Sequence, residues 1–234
     1  MIDLSRTASA LAGASYLAPL WLSIQKFDGK RYNYTLRPEL TWYSLTQGNG
    51  LYSVQILEPV SATQGKLLES KTLTLNLLDP NIVYLQSCVN IPWDRDMPCV
   101  RWSRGKTPRQ IWEWMVDNCR YDDEQAADII AKGKHFDYQP DITRVWDKHM
   151  GICFDMTALY NSLLRSVGVK AKMVHGPSKY SGYHCWSKVL IDGQWYLADI
   201  VRDIFDRQHL AGWIACKRYM TPRNEGEYTE YFVY

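Results

Sequence analysis

The chain has 234 residues, 27 basic against 25 acidic side chains, and 46% apolar residues. That length is ample for a buried core without disulfide support, and the near-neutral balance offers no electrostatic footprint for nucleic acid. The four basic residues Arg101, Arg104, Lys106 and Arg109 are followed by Glu113 and Asp117 and read as a solvated connection.

The first elements in chain order are a packed N-terminal segment and a run of strands. From Thr7 to Gln25 no side chain is charged. Ser9, Gly13, Ser15, Pro19 and Ser23 break this stretch as a membrane span, and Asp3 spoils it as a basic leader. It reads as a segment helical over Ala8 to Leu17. The compartment expected is the cytoplasm, or a secreted or cell-surface location if a leader preceded the chain. From Ile24 to Trp93 the pattern alternates. Tyr32, Tyr34 and Leu36 share one face, Thr41 to Leu45 forms a β-rich run, and Asn49-Gly50 signals a hairpin with Leu51 to Leu57 as partner strand. Leu73, Leu75 and Leu77 give another strand, and Ile82 to Leu85 a further strand or short helix. Residues 1–100 are therefore expected to form an antiparallel β-rich domain, and 101–234 a second domain.

Trp93 to Gly105 carries loop chemistry. Thr107-Pro108 then reads as an N-cap with proline at the first helical position. The predicted helix carries Ile111, Trp114, Met115 and Cys119. Further helices are predicted over Asp123 to Ala131, Asp141 to His149, and Cys153 to Val167, the last stopped by Gly168. Strands follow over Val169 to Val174, Tyr183 to Ile191 and Gln194 to Asp199, with Asp192-Gly193 as a two-residue turn. Helices followed by an antiparallel sheet give an α+β layout.

Six cysteines are present, Cys88, Cys99, Cys119, Cys153, Cys185 and Cys216, with no C-x-x-C pair. This argues against a zinc site. With one as a nucleophile, five remain, which suits a reducing compartment better than a disulfide framework. Cys153 stands at the predicted start of a helix, where free backbone N–H groups and the helix dipole stabilise a thiolate and can receive an oxyanion. His184 follows 31 residues later (184 − 153) and Asp199 another 15 (199 − 184). If Ile191 pairs with Gln194, partners sum to 385. His184 then faces Val201, and Asp199 stands diagonal to it on the same face, within reach of the imidazole. A carboxylate there can hold the histidine's tautomer.

Four motifs occur in order: Gly151-Ile152-Cys153-Phe154-Asp155-Met156-Thr157-Ala158-Leu159, Leu164 to Ala171, Tyr183-His184-Cys185-Trp186, and Gln194-Trp195-Tyr196-Leu197-Ala198-Asp199. They resemble the transglutaminase-like core of bacterial proteins over roughly residues 105–205. The resemblance implies a papain-like fold, a helix bundle packed on an antiparallel sheet. It also implies a catalytic triad at Cys153, His184 and Asp199. The β-rich stretch from Tyr32 resembles the N-terminal extension of some members. Two positions depart from the pattern, Cys185 after the histidine and Ile200 after the aspartate, and they bear on specificity more than on activity.

The expected function is a cysteine peptidase or amidase working through a thioester, acting on a peptide or protein, including cell-wall peptide. The alternatives are an acyltransferase that cross-links glutamine to lysine with the same triad, and an inactive module binding peptide or glycan. No cofactor, metal, nucleic acid or integral membrane span is expected. Gln86 and Gln139 are the amides considered as oxyanion donors beside the Cys153 backbone. Trp146 and Trp186 are read as cleft wall or core, Asp155 as serving the helix dipole, and His135, His149, His175 and His209 as surface or structural.

Overall fold

The computed structural model describes residues 2–3, 19–36, 42–61, 63–133, 138–209 and 223–234. The helix expected over Ala8 to Leu17, Thr41, His135 and Cys216 lie outside the described residues. Two compact units are present, Met1–Val83 and Tyr84–Tyr234. The boundary therefore precedes the one expected at 100/101. The reason is burial, because Cys88, Ile91, Cys99 and Val100 belong to the core of the second unit.

The first unit contains β1 (Ile2–Asp3), β2 (Trp21–Lys26), β3 (Arg31–Thr35), β4 (Trp42–Tyr43), β5 (Gly50–Pro59) and β6 (Gly65–Leu75). Its main sheet has the order β3-β2-β5-β6, all antiparallel. Leu22, Ile24, Tyr32, Tyr52, Val54 and Ile56 are buried by the alternation read from the sequence. The expected hairpin at Asn49-Gly50 does not form. β4 pairs with β1, whereas β5 pairs with β2 and β6. Asn49 serves another purpose: its side-chain amide donates to Leu77 O and accepts from Leu77 N–H, each at 2.8 Å. It thereby closes the open end of the β5–β6 pair in the manner of a backbone ladder. Residues Pro80–Leu85 form a 3-10 helix.

The second unit opens with α1 (Pro98–Ser103), where a loop was expected. It continues with α2 (Pro108–Asn118), β7 (Arg120–Tyr121), α3 (Asp123–Ala131), α4 (Ile142–Lys148), β8 (Met150–Gly151) and α5 (Cys153–Ser166). Then come β9 (Ala171–Ser178), β10 (Gly182–Ile191), β11 (Gln194–Ala198), α6 (Ile200–His209) and β12 (Phe232–Val233). The Thr107 hydroxyl accepts Gln110 N–H and the Gln110 side chain accepts Thr107 N–H, the reciprocal cap anticipated for α2. α5 is buried on all sides, with Met156, Ala158, Leu159, Leu163 and Leu164 in one core with Ile111, Met115 and Val145. Each of its buried leucines contributes about 2 kcal/mol by leaving water. Polar groups of the buried helix reach neighbouring elements: Asn161 Nδ2 donates to Ser187 Oγ at 2.7 Å, and Arg165 Nε donates to Ala171 O at 2.8 Å.

The sheet has the antiparallel order β11-β10-β9-β12. Ile191 pairs with Gln194 and Ser187 with Ala198, the register of 385 expected from the Asp192-Gly193 turn, whose φ values of 49° and 81° are those of a type I′ hairpin. One expectation fails. β11 stops at Ala198 and the chain turns into α6 at Ile200, so Val201 does not face His184. The architecture is α+β, as expected.

Candidate active site

Cys153 is the first residue of α5 and is half-buried. It reaches that position through a short parallel pair, β7 with β8, in which Tyr121 stands opposite Gly151. Gly151 is required by close approach: a Cβ there would lie 2.8 Å from Asp155 Cβ and 2.9 Å from Val145 Cγ2. The fully buried Asp155 holds the first helical turn from the inside. Its carboxylate accepts the N–H groups of Ile152 and Asp141 at 3.2 Å each, the Tyr138 hydroxyl at 2.8 Å and Arg144 Nη2 at 3.2 Å. Burial pushes its pKa up, opposed by these four donors. Asp155 therefore does more than complement a dipole, since it ties the loop before α4 to the nucleophile's helix.

His184 lies on β10, paired with Gly176 of β9, and is 6% exposed. Its Nε2 contacts Asp199 Oδ2 at 3.0 Å and Oδ1 at 3.1 Å. Nδ1 is thus left on the side of the ring away from Asp199, and the Cys153 thiol acts on the same imidazole. Burial lowers the imidazole's pKa, but the hydrogen bonds and charges of Asp199 and Cys153 outweigh it and lift it to about 10. The stabilisation linked to that shift is complete below the unfolded value of about 6.5 and is lost as pH rises through about 10.

Asp199 is 2% exposed and caps α6, its Oδ1 accepting Arg202 N–H at 3.0 Å. Burial raises its pKa, yet the bond and charge of His184, the Arg202 N–H and the Arg223 charge bring it below the ordinary carboxylate value. The structure thus puts His184 in direct contact with Asp199 and under the charge of Cys153. Residues the sequence did not single out also surround it. The Tyr228 hydroxyl donates to Asp199 Oδ2 at 2.9 Å. Asp203 accepts Trp112 Nε1 at 2.8 Å and pairs with Arg223; burial is the main reason its pKa is pushed up to about 6. Tyr121, opposite Gly151 in the β7–β8 pair, has its phenol pKa raised to about 12, chiefly by burial and then by the Cys153 charge.

Of the two glutamines considered, Gln86 is anchored to the C-terminal end of α5, whereas Cys153 stands at its start. Its backbone oxygen accepts Arg165 Nη1 at 2.7 Å, and Arg165 follows Cys153 by 12 residues (165 − 153), about 18 Å along the helix. Gln139 lies in the segment whose neighbours Tyr138 and Asp141 bond Asp155. Trp186 is fully buried and stacks on His184 at 6.3 Å between centroids, whereas Trp146 packs on Trp114 at 4.6 Å. His175 is not a surface residue in its chemistry. It meets Phe154 edge-on at 4.7 Å, and burial, with the His184 charge, pushes it down to about 3, so it stays neutral. His149 is the left-handed cap of α4 and His209 stacks on Phe205 at 4.1 Å. Cys88, Cys99, Cys119 and Cys185 are free and buried. No cluster of potential metal ligands occurs among the described residues, and no described helix is long and apolar enough to cross a membrane.

Residues 103–200 match the family model of the Transglutaminase-like superfamily, a stretch that includes Cys153, His184 and Asp199. No curated protein matches the chain. Among solved structures, the chain is similar to a candidate cysteine protease from Cytophaga hutchinsonii, with 16% identity and a TM-score of 0.42 over 80% of this chain and 73% of that one. A second is the crystal structure of a TGase, with 14% identity and a TM-score of 0.34 over 51% of this chain and 31% of that one.

Proposed function

With residues 103–200 a transglutaminase-like domain, we propose that the chain is a cysteine-dependent amide hydrolase, a peptidase or amidase, with Cys153, His184 and Asp199 as its triad. The observation that carries this is an imidazole held by a buried carboxylate at 3.0 Å, with the charge of a cysteine at a helix N-terminus acting on the same ring. Cys153 attacks the amide carbon, the imidazolium gives its proton to the leaving amine, and a water deprotonated by His184 then cleaves the thioester. Asp199 holds the tautomer and stabilises the imidazolium. An acyltransferase would use the same residues with an amine in place of that water. The substrate in this reading is a peptide or protein.

The test is iodoacetamide alkylation of Cys153 against pH, read by peptide mass spectrometry. A thiol activated by the imidazole is alkylated rapidly at neutral pH and much more slowly in His184→Ala. An upper inflection is expected near 10, where His184 loses its proton. A rate profile that is the same in His184→Ala would remove the basis for an enzyme.

A further inference from the structure

Residues 223–234 run along β9 as a strap. Lys179 N–H donates to Glu227 O at 2.9 Å, Thr229 N–H to Pro177 O at 2.9 Å and Tyr231 N–H to His175 O at 2.8 Å. Tyr228 is fixed between these bonds, its own N–H on Glu225 O at 3.0 Å. Its side chain turns inward, 8% exposed, with the ring 5.0 Å from that of Trp186. The hydroxyl then meets Asp199 Oδ2 at 2.9 Å. Because the carboxylate faces an imidazole and a backbone N–H on its other lone pairs, the phenol is the donor.

Two consequences follow from a donor in that position. A carboxylate whose second oxygen is bonded cannot rotate away from the imidazole, so the ring keeps its orientation. A donated hydrogen bond also withdraws charge from the carboxylate and so limits how strongly it holds the imidazolium. We propose that Tyr228 is a positioning residue of the triad, through which the C-terminal strap sets both the orientation of Asp199 and the proton affinity of His184. The inference rests on the triad reading above.

The experiment compares the full chain, Tyr228→Phe, and the chain carrying 3-fluorotyrosine at position 228, by iodoacetamide alkylation of Cys153 against pH. Loss of the donor leaves more charge on Asp199, so Tyr228→Phe is expected to move the upper inflection up by about 0.5 pH unit. The fluorinated phenol packs as tyrosine does but donates more strongly, so it is expected to move that inflection down. It decides the question alone if Tyr228→Phe does not fold. An unchanged upper inflection in both, or a shift of the same sign in both, would reduce Tyr228 to a packing residue. A single ordinary thiol titration in the parent chain would overturn the triad itself, and is recognised before the variants are compared.

Discussion

Replacing Cys153 by alanine is expected to lower amide-bond turnover by about 10^6, with His184→Ala as damaging and the double variant no worse than either. The non-additivity is the informative part. A nucleophile without its base and a base without its nucleophile both leave only binding and oxyanion contacts, so the second loss removes nothing further. Asp199→Asn keeps the shape but reverses the tautomer demanded of His184, and about 10^4 is expected there. The measurement is hydrolysis of a fluorogenic peptide panel, with and without an added primary amine. An alanine variant at position 153 that keeps even a tenth of the activity would place the chemistry elsewhere. Faster thioester turnover with amine than without would favour the acyltransferase.

The centre of this site was legible because its chemistry is tied to local patterns. A helix start with glycine two residues before the cysteine, and a two-residue turn between two alternating strands, are short-range signals, and the 385 register puts His184 and Asp199 on one face. The turn of the chain at Asp199 is masked in the sequence because Ile200 and Val201 are β-branched and extend the strand pattern. A signal was present nonetheless. Asp199 followed by Arg202 at the third helical position, with Ile200 and Ile204 both buried on one side, is an N-cap before an amphipathic run.

Other features depended on contacts that no local pattern encodes. The pairing of β4 with β1 overrode a strong Asn49-Gly50 hairpin signal, and Asn49 is used instead to bond Leu77, 28 residues away. Helix α1 was hidden by Pro98, which reads as loop yet occupies the first helical turn, where no N–H is needed. Tyr228 reaches Asp199 across 29 residues and Tyr121 stands opposite Gly151 through a parallel bridge, so neither belongs to a motif. Donors added around a triad come from wherever the chain passes, and sequence spacing carries no record of that.

Gly176→Ala is expected to cost about 3 kcal/mol of stability, against the usual gain of about 0.4–1 kcal/mol for glycine to alanine at an unstrained position. A Cβ at Gly176 would lie 1.8 Å from Thr229 O, 3.0 Å from Thr229 C and 3.1 Å from Tyr231 N. All three are backbone atoms, so no side chain can swing aside. The strap must lift, giving up the Thr229 N–H bond to Pro177 O and the Tyr231 N–H bond to His175 O, each worth about 1 kcal/mol. Tyr228 lies next to Thr229 and would leave Asp199 with it. Urea unfolding should show a lower midpoint at an unchanged slope, because the same surface is exposed on unfolding. The upper inflection of Cys153 alkylation should rise with it, as in Tyr228→Phe, since both changes strip the same donor from Asp199. A midpoint equal to the parent's would mean that β9 and the strap are not in close contact at Gly176. A lower midpoint with an unmoved inflection would separate the strap's packing from the triad's charge.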